Sequence, residues 1–321
     1  MSLDGTRIFV TGGHGFIGRR VVPLLVASGA DVVSAYRPGQ RWTELPGRQV
    51  EIDLRDRQGL AARMSGVDLV IHLAATSGGI QLQESIHSGI LQENFAMSSN
   101  VLAAAATAGV RRVFLASSAV VYGGEPHFPI PEAAPVLSPG DHPSGYAWSK
   151  ITDEVVAGWY QQESSFETVV GRFTNVFGPG GSFDPARSTV VHALVRRALD
   201  VAPQGPLTVW GDGTAVRSFV FVEDAARAVV TILAAGVPGE AYNIGGGEPT
   251  SIADLATAIR DLVSPAMELL FDPSRPAGVH YRAVDGSKLA SIGFTPAVGL
   301  IDGLRATIEA ARLAEPGRSQ G

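Results

Sequence analysis

Val10-Thr11-Gly12-Gly13-His14-Gly15-Phe16-Ile17-Gly18 is the stretch that decides the fold. A short apolar strand, residues 7–11, runs into glycines at the spacing Gly12-x-x-Gly15-x-x-Gly18, and residues 16–28 carry a helical pattern that stops at Gly29. Gly12 permits the tight turn, Gly15 lets the backbone approach a pyrophosphate, and Gly18 lets the helix pack against the strand. The helix start at Phe16, Ile17 and Gly18 turns N–H groups and a positive dipole end toward the phosphates. Glycine-rich turns are common by themselves. Between a strand and a helix, this one reads as a dinucleotide cradle.

Further apolar runs at 31–36, 49–53, 69–73, 113–117 and 168–172 read as strands with helix-like stretches between them. Such alternation predicts right-handed crossovers and an α/β fold: a doubly wound, Rossmann-type parallel sheet. After Asn175 the texture changes, with Gly178-Pro179-Gly180-Gly181 breaking regularity. Residues 1–174, with about 216–236 returning to the main sheet, form the expected dinucleotide-binding domain. Residues 175–215 and 237–315 form a smaller C-terminal α/β substrate lobe, and 316–321 a loose tail.

The chain has 321 residues, 45% of them hydrophobic and 17% charged, which suits a folded protein with a substantial core. Its formal charge of −6 and lack of a long basic run give nucleic acid no footing. No apolar run reaches the ~18 residues of a membrane span. Met1-Ser2-Leu3-Asp4-Gly5 leads straight into a strand, so no cleaved signal is expected and the cytoplasm is the default location. Zero cysteines remove disulfides, thiolate metal sites and cysteine nucleophiles, and the seven histidines show no metal-ligand spacing with acids.

The tip of the second strand selects between NAD and NADP: a carboxylate suits a ribose hydroxyl, an arginine a 2′-phosphate. Here it reads Ala35-Tyr36-Arg37, with Arg41 nearby and no acid. The guanidinium fork favours NADP(H), with NAD the alternative if Arg37 is only a solvated charge. Asp53-Leu54 is placed either to meet the adenine edge or, through Asp53, to cap the next turn. Leu73-Ala74-Ala75 follows the fourth strand with small residues that admit a cofactor or serve ordinary packing.

Far downstream, Tyr146-Ala147-Trp148-Ser149-Lys150 opens a helical pattern. Spacing i,i+4 puts Tyr146 and Lys150 on one face. A free phenol ionises near pH ~10, and a neighbouring ammonium favours the phenolate. Lys150 and Lys288 are the only lysines, so one at this spacing is a poor accident. Ser117-Ser118 ends the fifth strand at the sheet edge where ligands bind. A hydroxyl there can polarise a carbonyl, with Ser118 preferred and Ser117 the alternative.

Taken together, these residues resemble the extended short-chain dehydrogenase/reductase superfamily, whose members act mainly on nucleotide-linked sugars. The resemblance spans nearly the whole chain and includes Arg172-Phe173-Thr174-Asn175 and Gly211-Asp212-Gly213-x-x-x-Arg217. It implies a catalytic triad of Ser118, Tyr146 and Lys150, with Phe173 beside the cofactor. It also implies a substrate diphosphate held by Asn175 and Arg217, with Arg275 a further candidate. Homodimers form in this superfamily through two helices per subunit, here about 83–108 and 146–163, where Val155, Val156 and Trp159 are apolar.

Ala75-Thr76-Ser77-Gly78-Gly79-Ile80, Phe177-Gly178-Pro179, Val209-Trp210-Gly211 and Phe271-Asp272-Pro273-Ser274-Arg275-Pro276 look most like the GDP-fucose synthase branch. That branch epimerises a 4-keto-6-deoxy sugar with a cysteine and a histidine, then reduces it with NADPH. The equivalent positions are Val120 and Thr189, so reduction is expected without double epimerisation. Sugar 4,6-dehydratases carry Asp-Glu where this chain has Ala119-Val120. A 4-epimerase with bound NAD is the alternative, although an acid is usual at Tyr36. A reductase of non-sugar ketones is a further one.

Overall fold

The computed structural model describes residues 1–39, 44–78, 86–123, 129–141, 144–163, 166–185, 187–245, 247–275 and 278–314. Arg41, Gly79, Ile80, Pro276 and the 316–321 tail lie outside them. The strands are β1 (Arg7–Thr11), β2 (Asp31–Tyr36), β3 (Arg48–Glu51), β4 (Leu69–His72), β5 (Arg112–Ser118), β6 (Glu167–Phe173) and β7 (Asn175–Phe177). They continue with β8 (Leu207–Trp210), β9 (Val216–Arg217), β10 (Phe219–Phe221), β11 (Ala241–Ile244), β12 (Thr250–Ser251), β13 (Leu269–Asp272) and β14 (Tyr281–Arg282). The helices are α1 (Gly18–Ala27), α2 (Arg57–Arg63), α3 (His87–Ala108), α4 (Gly145–Glu163) and α5 (Val190–Val201). Then follow α6 (Val222–Ala235), α7 (Ile252–Val263), α8 (Ser287–Ser291) and α9 (Leu300–Ala314).

Seven parallel strands make the main sheet, in the order β11-β6-β5-β4-β1-β2-β3. The order reverses between β1 and β4, the switch point where doubly wound sheets bind ligands. Side chains alternate across the pleat. Ile8, Val10, Val32, Leu69 and Ile71 face α1 and α6, whereas Phe9, Val33 and Val70 face α2, α3 and α4. Both faces are covered, which is why these strands read as nearly unbroken apolar runs. Helix ends follow local signals: α1 gives way to Gly29 at φ +84°, and α3 to Gly109 in the left-handed region.

Two strands differ from the expectation. The segment at 218–222 does not return to the main sheet as a strand; β10 pairs instead with β7 in a separate two-stranded sheet. Only its helix, α6, packs back beneath the sheet against α1. Conversely β11, expected in the C-terminal lobe, extends the main sheet beside β6. The physical reason is that strand pairing depends on distant partners, and both segments are short apolar runs with no local mark of which partner they meet.

Elsewhere in the lobe, β8 pairs with β13, β9 lies between β12 and β14, and α5, α7 and α9 close an apolar core. On α4, Val156 packs toward the main-sheet core, whereas Val155 and Trp159 are exposed, with Phe95 exposed on the adjoining α3.

Asn243 on β11 joins the sheet to the segments around it. Its side chain is wholly buried; Oδ1 accepts from the Tyr122 hydroxyl at 2.6 Å, and Nδ2 donates to the carbonyls of Ile130 and Asp285 at 3.0 Å. Its backbone N–H donates to Glu132 at 2.8 Å. Replacing Asn243 by Ala takes the acceptor from the Tyr122 hydroxyl and a donor from the Ile130 and Asp285 carbonyls, although Tyr122 keeps Arg172 and Ile130 keeps the Asp285 N–H. The expected loss is about 3 kcal/mol of unfolding free energy, read from urea denaturation. A loss below roughly 0.5 kcal/mol, the range of an ordinary surface substitution, would show that these bonds carry no weight.

Candidate active site

The Gly12 turn meets the end of β4 with almost no clearance. A Cβ on Gly12 would sit 2.7 Å from the Ala74 nitrogen, and Gly12 has φ +68°. A Cβ on Gly18 would run into the Gly12 carbonyl oxygen and the Gly13 backbone. Only glycine fits either position. Helix α1 starts without a side-chain cap and without an acid in its first turn, as suits an anion-binding end. Phe16 and Ile17 pack on the core, and the Phe16 ring meets His192 edge-on at 5.7 Å.

From this turn a cavity of about 730 Å³ opens along the sheet edge. Gly12, Gly15, Tyr36, Arg37, Asp53, Leu54, Leu73, Ala74 and Ala75 all line it. The cradle that a Cβ would fill and a trough with Arg37 at its far end fit a dinucleotide. Asp53 is not a free carboxylate: Arg55 grips it through Nη2 at 2.6 Å and Nε at 2.9 Å. Those hydrogen bonds hold its carboxyl down at about 2. Nor does Asp53 cap α2. That role falls to Asp56, which accepts from the Gly59 N–H at 3.1 Å, while Asp53 tightens the turn by accepting from the Arg55 N–H. Arg187, from the loop before α5, also lines the cavity and went unnoticed in the sequence, where nothing marks that loop as reaching the sheet.

Ser118 is the last residue of β5, with Phe173 its partner on β6. Its hydroxyl donates to the Phe173 carbonyl at 3.4 Å and accepts from the Val120 N–H at 3.3 Å. Both bonds are long, so the hydroxyl is available to a better partner. Ser117 points the other way and donates to Glu154 at 2.5 Å. Glu154 in turn binds Arg172 at 2.7 and 3.0 Å. Ser117 is therefore structural, and Ser118 is the hydroxyl left at the sheet end.

Just past Ser118, Ala119 and Val121 pack against Trp148 and Ile151 in the first turns of α4, which sets that helix start beside the strand end. Gly145 makes this possible: a Cβ there would collide with the His87 backbone at the start of α3. Tyr146 is partly exposed, and the Lys150 ammonium lies 6.0 Å from its ring centroid. Lys150 is almost fully buried, so the two are not an exposed surface pair.

Beneath them runs a polar layer. His72 joins Thr11 at 2.7 Å through Nδ1 and Ser98 at 3.0 Å through Nε2. Burial, helped by the Lys150 charge, pushes the imidazole down to about 3, so it stays neutral. Asn94 bonds the Thr76 backbone and the Ser149 hydroxyl.

The candidate diphosphate residues occupy the lobe side. Asn175 and Arg217 sit on either side of Ser218, whose carbonyl accepts from the Asn175 amide at 3.0 Å. Arg217 donates to the carbonyls of Val216 and Val279 at 2.8 and 2.6 Å. Arg282 lies beside Arg217 in the β9–β14 register, another residue that sequence reasoning missed. Burial lowers both guanidinium pKa values to about 10, and Arg217 adds repulsion at Arg282. Arg275 sits elsewhere, exposed, paired with Asp272 at 3.6 Å and lying over the Trp210 ring at 5.6 Å. Arg197 approaches the same ring at 4.9 Å.

Comparison with known proteins gives the family. The chain is 31% identical over 316 residues to GDP-L-fucose synthase 1 of Arabidopsis thaliana, covering 96% of this chain and 94% of that protein. It is 32% identical over 304 residues to a dTDP-4-dehydro-6-deoxy-D-allose reductase of Streptomyces sp, covering 90% of each. Among solved structures, the UDP-glucose 4-epimerase of Thermus thermophilus, in complex with NAD, superposes with a TM-score of 0.82 at 27% identity, covering 96% of this chain and 99% of that one. The NAD dependent epimerase/dehydratase family matches residues 8–245. The chain belongs to that family, as an enzyme of the extended short-chain dehydrogenase/reductase type.

Proposed function

We propose that this enzyme is an NADPH-dependent reductase of a nucleotide-linked 4-keto-6-deoxyhexose. The observation that supports the reading is that α4, which carries Tyr146 and Lys150, starts beside the end of β5, which carries Ser118, and that Val120 and Thr189 stand where the epimerising branch has its proton carriers. The Thr189 hydroxyl meets His192 at 3.1 Å, and the other nitrogen of that buried ring faces the Gly178 carbonyl at 3.0 Å. Neither side chain offers the acid and base that exchange at carbon beside a ketone requires. Both relatives at 31 and 32% identity are named for deoxysugar products or ketosugar substrates, which supports the substrate class.

The Gly12, Gly15 and Gly18 turn with Phe16 and Ile17 would hold the pyrophosphate, and Leu73, Ala74, Ala75 and Phe173 would flank the cofactor. Arg37 supports NADP(H), because its fork of donors matches a phosphate. When bound, the dihydronicotinamide supplies the hydride. Ser118 donates a hydrogen bond to the ketone oxygen and draws off its developing charge. Tyr146 gives that oxygen its phenolic proton and recovers one from water, while Lys150 stabilises the interim phenolate. Asn175 and Arg217 hold the diphosphate, and its charge relieves the repulsion between Arg217 and Arg282. Arg275 beside Trp210 suits the nucleotide end.

The test is NADPH oxidation with a panel of nucleotide-linked 4-keto-6-deoxyhexoses. Turnover is expected with at least one, and Tyr146→Phe should lower kcat by about 10²- to 10⁴-fold. With NADH in place of NADPH, activity should fall, and Arg37→Ala should erase the difference. Enzyme that purifies with tightly held NAD and interconverts a sugar without added cofactor would establish the 4-epimerase instead. Exposed Phe95, Val155 and Trp159 on the adjoining helices support a homodimer. Sedimentation should give twice the chain mass, reduced to one by Trp159→Glu; a monomeric parent protein refutes that arrangement.

A further inference from the structure

Lys150 does not stand alone in the site. Its ammonium lies 3.3 Å from Asp153 Oδ2, with side-chain exposures of 3% and 0%. Among the described residues, the second carboxylate oxygen, Oδ1, is buried without a hydrogen-bond partner. A carboxylate this deep, half unanswered, is costly to keep and gains most from the lysine it faces. Burial raises the Asp153 pKa, and Lys150 and the nearby Ser98 hydroxyl pull it back.

The surrounding charges isolate the pair. His72, reaching in from β4, is neutral at working pH. Ser98 and Asn94 from α3 carry no charge. Glu154, next along α4, is answered by the two-point grip of Arg172. Tyr146 stands one turn before Lys150 on the same helix, with the ammonium 6.0 Å from its ring centroid. Asp153 is thus the buried carboxylate whose charge acts on the lysine and, through it, on the phenol.

We propose that Asp153 is a positioning residue of this site: it clamps the Lys150 ammonium beneath the sheet end and offsets part of the charge that Tyr146 feels. The clamp rests on the reading of Tyr146 and Lys150 as proton donor and cation. It holds Lys150 at one place and limits how strongly that cation favours the phenolate. Opposite charges buried in contact are weakly screened by salt, so the effect persists at high ionic strength.

The test uses the full chain saturated with NADP⁺ and reads tyrosinate absorbance during a pH titration, with the Tyr146→Phe protein as the subtraction. In Asp153→Asn the Tyr146 midpoint should fall by about one pH unit, a tenfold rise in its ionisation constant, because a nearby negative charge is gone. Asp153→Ser, which removes the same charge with a smaller side chain, should give the same fall and serves if the asparagine protein does not fold. An unmoved or raised midpoint, or a fall in the serine protein with none in a folded asparagine protein, overturns the clamp. The titration needs no sugar. Should the midpoint fall while the alkaline limb of ketone reduction stays in place, the reductase reading fails and the clamp survives.

Discussion

The backbone of the Gly12 turn and the backbone of Ala74 touch with no room for one carbon atom between them, and the rest of the site is arranged around that contact. It exists because β1 and β4 are neighbours in register, with Thr11 beside His72. The Thr11 hydroxyl then binds the His72 ring and takes a hydrogen bond from the Ala74 N–H at 3.3 Å. A bulkier residue at either end would part the two strands where the order reverses. With glycine and alanine there, the floor of the cavity is backbone, and a flat ring or a pyrophosphate can lie against it.

Much of this was legible in the sequence because burial on both faces leaves an unmistakable record. The strands at 7–11, 31–36 and 69–72 show it, as do the glycines of the first turn and the stop at Gly29. Sequence prefers Ser118 over Ser117 without a physical reason to separate them, since both are serines at one strand end. The pleat decides it by sending Ser117 to Glu154. Two features depended on partners far away in the chain: β11 extending the main sheet, and β14 setting Arg282 beside Arg217. A two-residue strand carries no periodicity from which to predict its pairing. Asp153 was hidden for another reason, because a carboxylate on a helix is ordinarily a solvated one.

Reduction and epimerisation ask different things of the same sheet end. Delivering a hydride and a proton to a carbonyl needs one donor and one polarising group, which a tyrosine and a serine supply. Exchanging a proton at carbon needs a further base on one face and an acid on the other. Val120, partly buried in the turn after Ser118, is apolar, and the ring of His192 is occupied by Thr189 and Gly178. On the proposed reading, the described residues at this sheet end serve the carbonyl chemistry, and Val120 and Thr189 do not supply the carbon chemistry.

The two halves of the molecule contribute different kinds of order. Strands of the main sheet are pinned on both faces, so the groups at its end are held within narrow limits by packing. In the lobe, β9, β12 and β14 have two residues each, and Arg217 on β9 is held by the backbone carbonyls of Val216 and Val279. Arg217 and Arg282 lie side by side, both with pKa values lowered by burial, and Arg217 adds repulsion at Arg282. On the proposed reading, a ligand bearing a diphosphate would meet that strip, and ligand binding would be coupled to the setting of the lobe. The sheet end then fixes the reaction, and the lobe selects what is brought to it.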